Sequence, residues 1–151
     1  MAIIDCGVGN LFSITQACEQ AGLLAEVTAR PGDLDGFDAA ILPGVGAFGK
    51  AVEELERSGM DKAVAAFAAS GRHLMGICLG FQLLFDESRE FGSHKGLGLV
   101  RGVVERLPDR DAAGERVKVP AVGWNKVLRP EGGELWEKSP MKGLKSGEQI
   151  Y

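Results

Sequence analysis

The chain has 151 residues, 45% of them hydrophobic and 25% charged, and its 17 Lys and Arg against 21 Asp and Glu leave a net charge of −4. That length suits one soluble domain, and an acidic balance with no basic run excludes a protein that binds nucleic acid through phosphate contacts. No apolar stretch is long enough to span a bilayer, Asp5 falls where a signal peptide keeps its apolar core, and three cysteines (Cys6, Cys18, Cys78) without metal-ligand spacing fit a reduced, cytoplasmic setting with no metal.

Met1 to Asp5 read as a short strand closed by Cys6-Gly-Val-Gly-Asn10, with Asn10 placed to cap a helix. Leu11, Ile14, Ala17, Cys18 and Ala21 then recur on one helical face, and Gly22 stands where a helix end takes positive φ. Leu23 to Thr28 is a second predicted strand and Ala39 to Leu42 a third, stopped by Pro43-Gly44. Phe48, Ala51, Val52 and Leu55 give one helix, and Met60, Val64, Phe67 and Ala68 another, with Ser58-Gly59 between them. Leu74 to Ile77 is a fourth strand, followed by a helix over Leu79 to Phe85. Strands alternating with helices imply an α/β fold with a mostly parallel sheet and helices on both faces. From Phe91 onward, glycines interrupt short apolar runs such as Val103-Val104 and Val117 to Val119, which predicts short strands, hairpins and loops.

The richest segment is Leu74-Met-Gly76-Ile-Cys78-Leu-Gly80-Phe-Gln82. A strand running through Gly-x-Cys-x-Gly into a helix places the cysteine on a sharp turn, with small neighbours because side chains there would strike adjoining backbone. Its sulfur would project above the C-terminal edge of the sheet, at a helix N-terminus that favours thiolate over thiol, and the Leu79 N–H becomes one half of an oxyanion hole. A small buried hydrophobe is the alternative for Cys78. Pro43-Gly44-Val45-Gly46 precedes another helix, and the glycines around Val45 leave its peptide planes free to turn a backbone N–H toward the same site. A plain Gly-rich turn is the alternative there. No Gly-Lys-Ser/Thr follows, so a phosphate loop is excluded, and no cofactor is expected.

Taken together these stretches resemble the triad-type, class I glutamine amidotransferases. Ile4-Asp-Cys-Gly-Val-Gly-Asn-Leu11, Leu42-Pro-Gly-Val-Gly-Ala-Phe-Gly49, Gly76 to Phe85, Lys95-Gly-Leu-Gly-Leu99 and Lys118-Val-Pro-Ala-Val-Gly-Trp-Asn125 look most like the glutaminase subunits of imidazole glycerol phosphate synthase, in the family's order. The resemblance implies a flavodoxin-like amidotransferase domain over residues 1–151, incomplete at its C-terminus. It implies that Cys78 attacks the side-chain amide of glutamine, that Val45 and Leu79 N–H groups hold the oxyanion, and that Gly44, Gly46 and Gln82 position the substrate. Asn10, Trp124 and Asn125 would face a (β/α)8-barrel cyclase in a heterodimer of histidine biosynthesis, along the route by which ammonia leaves.

The chain departs from that pattern at Ala121, where relatives place a histidine, and in lacking the downstream His-Pro-Glu that completes the triad. Of its two histidines, His73 sits before a strand rising at roughly 3.3 Å per residue, which puts its ring more than ~10 Å from the sulfur. His94 lies in Gly-Ser-His-Lys-Gly, read as a surface loop. Neither is assigned as the base. The expectation is a truncated glutaminase subunit that, at this length alone, has negligible glutaminase activity and poor solubility. The alternatives are another class I glutaminase subunit, a non-catalytic module that binds the cyclase, and a redox-sensing thiol on a related sheet.

Overall fold

The computed structural model describes residues 1–7, 9–110, 112–119 and 123–150. Readings that fall on Val8, Ala121 and Tyr151 lie outside the described residues. The chain divides into two compact units, Met1–Arg106 and Leu107–Tyr151.

The first unit is built on four short parallel strands, β1 (Ala2–Ile4), β2 (Glu26–Thr28), β3 (Ala39–Leu42) and β4 (His73–Gly76), ordered β2-β1-β3-β4. Side chains alternate across a sheet, so β1 divides its apolar residues between two faces. Ala2 and Ile4 join Ala40 and Leu42 on one face, under Phe48, Ala51, Leu55, Met60, Val64 and Phe67 of helices α2 (Phe48–Ser58) and α3 (Met60–Ala69). Ile3 joins Ile41 and Cys18 on the other face, where helix α1 (Leu11–Gln20) also packs Leu11 and Ile14. Burying a leucine or phenylalanine in this way contributes roughly 1.5–3 kcal/mol each, and the α2/α3 face carries most of it. The α/β architecture with helices on both sheet faces is therefore observed.

Helix ends fall where the turn chemistry puts them. Asn10 Oδ1 accepts the Ser13 N–H at 3.1 Å and caps α1. At the other end Gly22 takes φ +73°, while its N–H reaches Glu19 O and the Leu23 N–H reaches Cys18 O, both at 2.9 Å. Gly59, at φ +75°, both ends α2 and opens α3. Thr28 and then Arg30 bond to Asp33, and these two contacts hold its carboxyl below the usual carboxylate range. Arg72 closes the far edge. Its guanidinium donates to the Leu34 and Phe37 carbonyls at 2.9 and 3.0 Å and lies 4.1 Å from the centre of the Phe67 ring.

Several elements differ from the sequence reading. Strand β2 begins at Glu26, not Leu23, because the Leu23 N–H closes the helix and Leu24 O accepts the N-terminal ammonium at 2.8 Å. Ala17 and Ala21 are exposed, so the sheet-facing stripe of α1 is narrower than its periodicity suggested. Helix α4 (Leu79–Leu83) is only five residues long, and Phe85 opens a further strand, β5 (Phe85–Ser88). That strand lies between β6 (His94–Lys95, antiparallel) and β7 (Val100–Val104, parallel) in a second sheet.

In the second unit, β8 (Asn125–Lys126) and β9 (Gln149–Ile150) pair antiparallel, and α5 (Glu134–Glu137) is followed by a 3-10 turn over Pro140–Gly143. The apolar run Val117 to Val119 lies outside any strand, with an isolated bridge between Arg110 and Arg116 nearby.

Candidate active site

Strand β4 runs alongside β3 with Gly76 opposite Leu42, and the chain then turns through Ile77 and Cys78 into α4. Cys78 has φ +55° and ψ −118°, and among the described residues no other non-glycine residue has positive φ. An L-residue occupies that region only where its surroundings force it. The surroundings are visible. A Cβ on Gly76 would sit 2.5 Å from Phe81 Cα, and one on Gly80 would run into the carbonyl oxygen of Leu42. The glycines at positions −2 and +2 from the cysteine are therefore required by backbone-to-backbone approach. Cys78 is exposed, whereas Cys6 and Cys18 are buried. The hydrophobe alternative for Cys78 fails on that contrast.

The oxyanion donors are arranged differently from the expectation. The Leu79 N–H is engaged, donating to Gly44 O at 3.3 Å. In a trans peptide the C=O and the following N–H point in opposite directions. With Gly44 O aimed at Leu79, the Val45 N–H is directed away from it, and the two predicted donors do not converge in this arrangement. The rest of the first turn of α4 is also satisfied internally, with Gly80 N–H on Ile77 O and the Phe81 and Gln82 N–H groups on Cys78 O at 3.0–3.2 Å.

Gly44 is buried directly against the elbow, its Cβ position 3.0 Å from Gly80 N and 3.1 Å from Leu79 Cβ. Val45 is half exposed and Gly46 takes φ +105° with nothing near its Cβ position, so the Gly44–Val45 peptide borders open space on its Gly46 side. Gln82 is partly buried on α4. Beyond this loop, a cavity of about 340 Å³ opens at Ala47, two residues past Val45, and is lined among others by Lys50, Glu53, Ser88, Glu90 and His94. Cys78, Leu79, Val45 and Gln82 do not line it.

His94 is not in a surface loop. It lies on β6 with its Nε2 3.3 Å from Phe91 O, and a Cβ on Gly49 would fall 2.5 Å from its ring. A two-residue strand between Gly92-Ser93 and Gly96 has no periodicity to read, which hid both β6 and the cavity wall from the sequence. His73 is exposed on β4. Among the described residues, Cys78 makes no hydrogen bond to either histidine, and no group of three His, Cys, Asp or Glu side chains is disposed to hold a metal. Asn10 is spent as a helix cap, although it remains exposed. Trp124 and Asn125 are exposed in the second unit, the latter donating to Gly123 O at 2.9 Å. No helix among the described residues is long and apolar enough to cross a membrane.

Comparison with known proteins extends this geometry. Residues 10–127 match the family of CobB/CobQ-like glutamine amidotransferase domains. The chain is 49% identical over 127 residues to imidazole glycerol phosphate synthase subunit HisH of Bacillus velezensis, covering 84% of this chain and 60% of that protein. It is 46% identical to the HisH of Wolinella succinogenes over 153 residues, covering 100% of this chain and 71% of that protein. The chain thus spans about three fifths to seven tenths of the length of these relatives. Among solved structures it is similar in fold to a glutamine amidotransferase at TM-score 0.60 and 24% identity, over 70% of this chain and 56% of that one.

Proposed function

The chain belongs to the HisH family of glutamine amidotransferases, and from that membership we propose that it carries the nucleophile of a glutaminase subunit feeding ammonia to a cyclase in histidine biosynthesis, in the cytoplasm. The observation that supports this reading is the Cys78 elbow, an exposed cysteine on a strained turn beside the glycine-flanked Gly44–Val45 peptide.

The chemistry then runs as follows. Cys78 Sγ attacks the side-chain amide carbon of glutamine, forming a C–S bond while the carbonyl electrons move to oxygen. The tetrahedral intermediate collapses with cleavage of the C–N bond, the nitrogen leaves as ammonia with the proton the thiol gave up, and water then hydrolyses the thioester to glutamate and restores the thiol. The Leu79 and Val45 N–H groups hold the oxyanion once the Gly44–Val45 peptide rotates and frees Leu79 from Gly44 O. Gly46 gives that rotation its freedom, and Gly44 and Gln82 lie beside the substrate amide. Neither His73 nor His94 is assigned the proton transfers. The cavity next to Ala47 suits the amino-acid end of the substrate, since Lys50 there complements a carboxylate and Glu53 and Glu90 complement an ammonium group.

The partner assigned by this reading is a (β/α)8-barrel cyclase in a heterodimer, with Asn10, Trp124 and Asn125 toward it. Because the oxyanion donors do not converge in the free arrangement, partner binding is assigned the task of shifting the peptide. Glutamate release by the complete subunit, measured alone and with the cyclase carrying its ribulosyl phosphate ligand, tests this. Turnover is expected to rise with the liganded partner, and equal turnover with and without it would contradict the gating.

A further inference from the structure

The loop after β1 touches the oxyanion segment at two points. The thiol of Cys6, a buried residue of that loop, lies 3.5 Å from the Pro43 carbonyl oxygen in donor geometry. Three residues on, the Cβ position of Gly9 is 3.5 Å from Pro43 Cβ and 3.9 Å from Gly44 N. Pro43 O belongs to the Pro43–Gly44 peptide, the plane immediately before the one whose carbonyl occupies the Leu79 N–H. Fixing the first plane restricts the second, because the two share only the φ and ψ of Gly44 as soft rotations.

We propose that Cys6 is a positioning residue, holding the Pro43–Gly44 peptide so that the Gly44 carbonyl stays closed on the Leu79 N–H. The thiol is a weak donor, but it works in a buried site, where a hydrogen bond meets little competition from water. Its consequence for the reaction rests on the amidotransferase reading; the hydrogen bond itself does not. Cys18, also buried, packs with Ile3 and Ile41 on the opposite sheet face and serves as the internal comparison.

Amide hydrogen exchange at Leu79 reads the bond directly. In Cys6→Ala and Cys6→Val, which remove the donor with loss and with gain of bulk, Leu79 is expected to exchange about three- to tenfold faster. Cys6→Ser, which restores a donor, is expected to stay within about twofold of the unsubstituted chain, as is Cys18→Ala, and the buried strand amides of Ile3 and Ile41 are expected to keep their rates. Unchanged Leu79 exchange in both donor-less variants would overturn the proposal. So would a serine variant as fast as the alanine one, or acceleration of Ile3 and Ile41 by the same factor as Leu79. Glutamate release measured alongside separates the two readings: an inactive subunit with the expected exchange pattern rejects the glutaminase and leaves the positioning role intact.

Discussion

Replacing Cys78 with glycine is expected to stabilise the chain while ending the glutamine chemistry proposed for it. At φ +55° and ψ −118°, the cysteine occupies backbone space that costs an L-residue about 1–3 kcal/mol. Glycine relieves that strain, and its greater freedom in the unfolded chain takes back about 0.5–1 kcal/mol. Cys78 is exposed, so little packing is lost with its side chain. The net is a gain of about 1 kcal/mol, or about 2–4 °C in melting temperature. Cys78→Ala keeps the Cβ and the strain, and should melt with the unsubstituted protein. Both variants should lose glutamate release in the complete subunit by at least about a thousandfold. Thermal melts of the three proteins check the first half and glutamate assays the second. A glycine variant no more stable than the alanine one would deny the strain, and turnover within tenfold of normal in either variant would deny the nucleophile.

Gly80→Ala should act in the opposite direction and damage the fold at its tightest point. The added methyl would enter the Leu42 carbonyl, with Pro43 C only 3.0 Å away. Both neighbours are backbone atoms of β3 and of Pro43 just after it, so no flexible side chain can move aside. Such overpacking is expected to cost about 3 kcal/mol or more, lowering the melting temperature by about 6–12 °C. Gly46→Ala provides the contrast, since nothing lies near its Cβ position and its penalty comes from φ +105° alone. Differential scanning calorimetry of the two variants tests the pair, and a Gly80→Ala protein melting within about 2 °C of the unsubstituted chain would remove the steric account of the elbow.

How far the sequence could be read depended on whether a residue's role is local. The sharp turn at Cys78 was legible because a strand, two flanking glycines and a helix follow one another directly, and the clashes at Gly76 and Gly80 are the physical content of that pattern. The sheet strands were legible from compact apolar runs such as Ala2–Ile4 and Ala39–Leu42. Asn10 was read correctly as a cap, because the hydrogen bond it makes spans three residues. The direction of the Gly44 carbonyl was not legible. Glycines permit both orientations of that peptide, and the one observed is set by contacts to Leu79, Gly80 and Pro43 that are distant in sequence or unrelated to any periodicity. The same holds for β6, whose two residues His94 and Lys95 pair with Ser88 and Glu87 across a loop that looked like surface.

The account stands on Cys78 being the nucleophile that a glutamine side chain reaches. Incubating the complete subunit, with its cyclase partner present, with a glutamine-shaped diazoketone and mapping the adduct by mass spectrometry tests that most directly. The account predicts one adduct on Cys78, none on Cys6 or Cys18, and protection by excess glutamine. Labelling that spares Cys78, or labelling of Cys78 that glutamine does not slow, would contradict it.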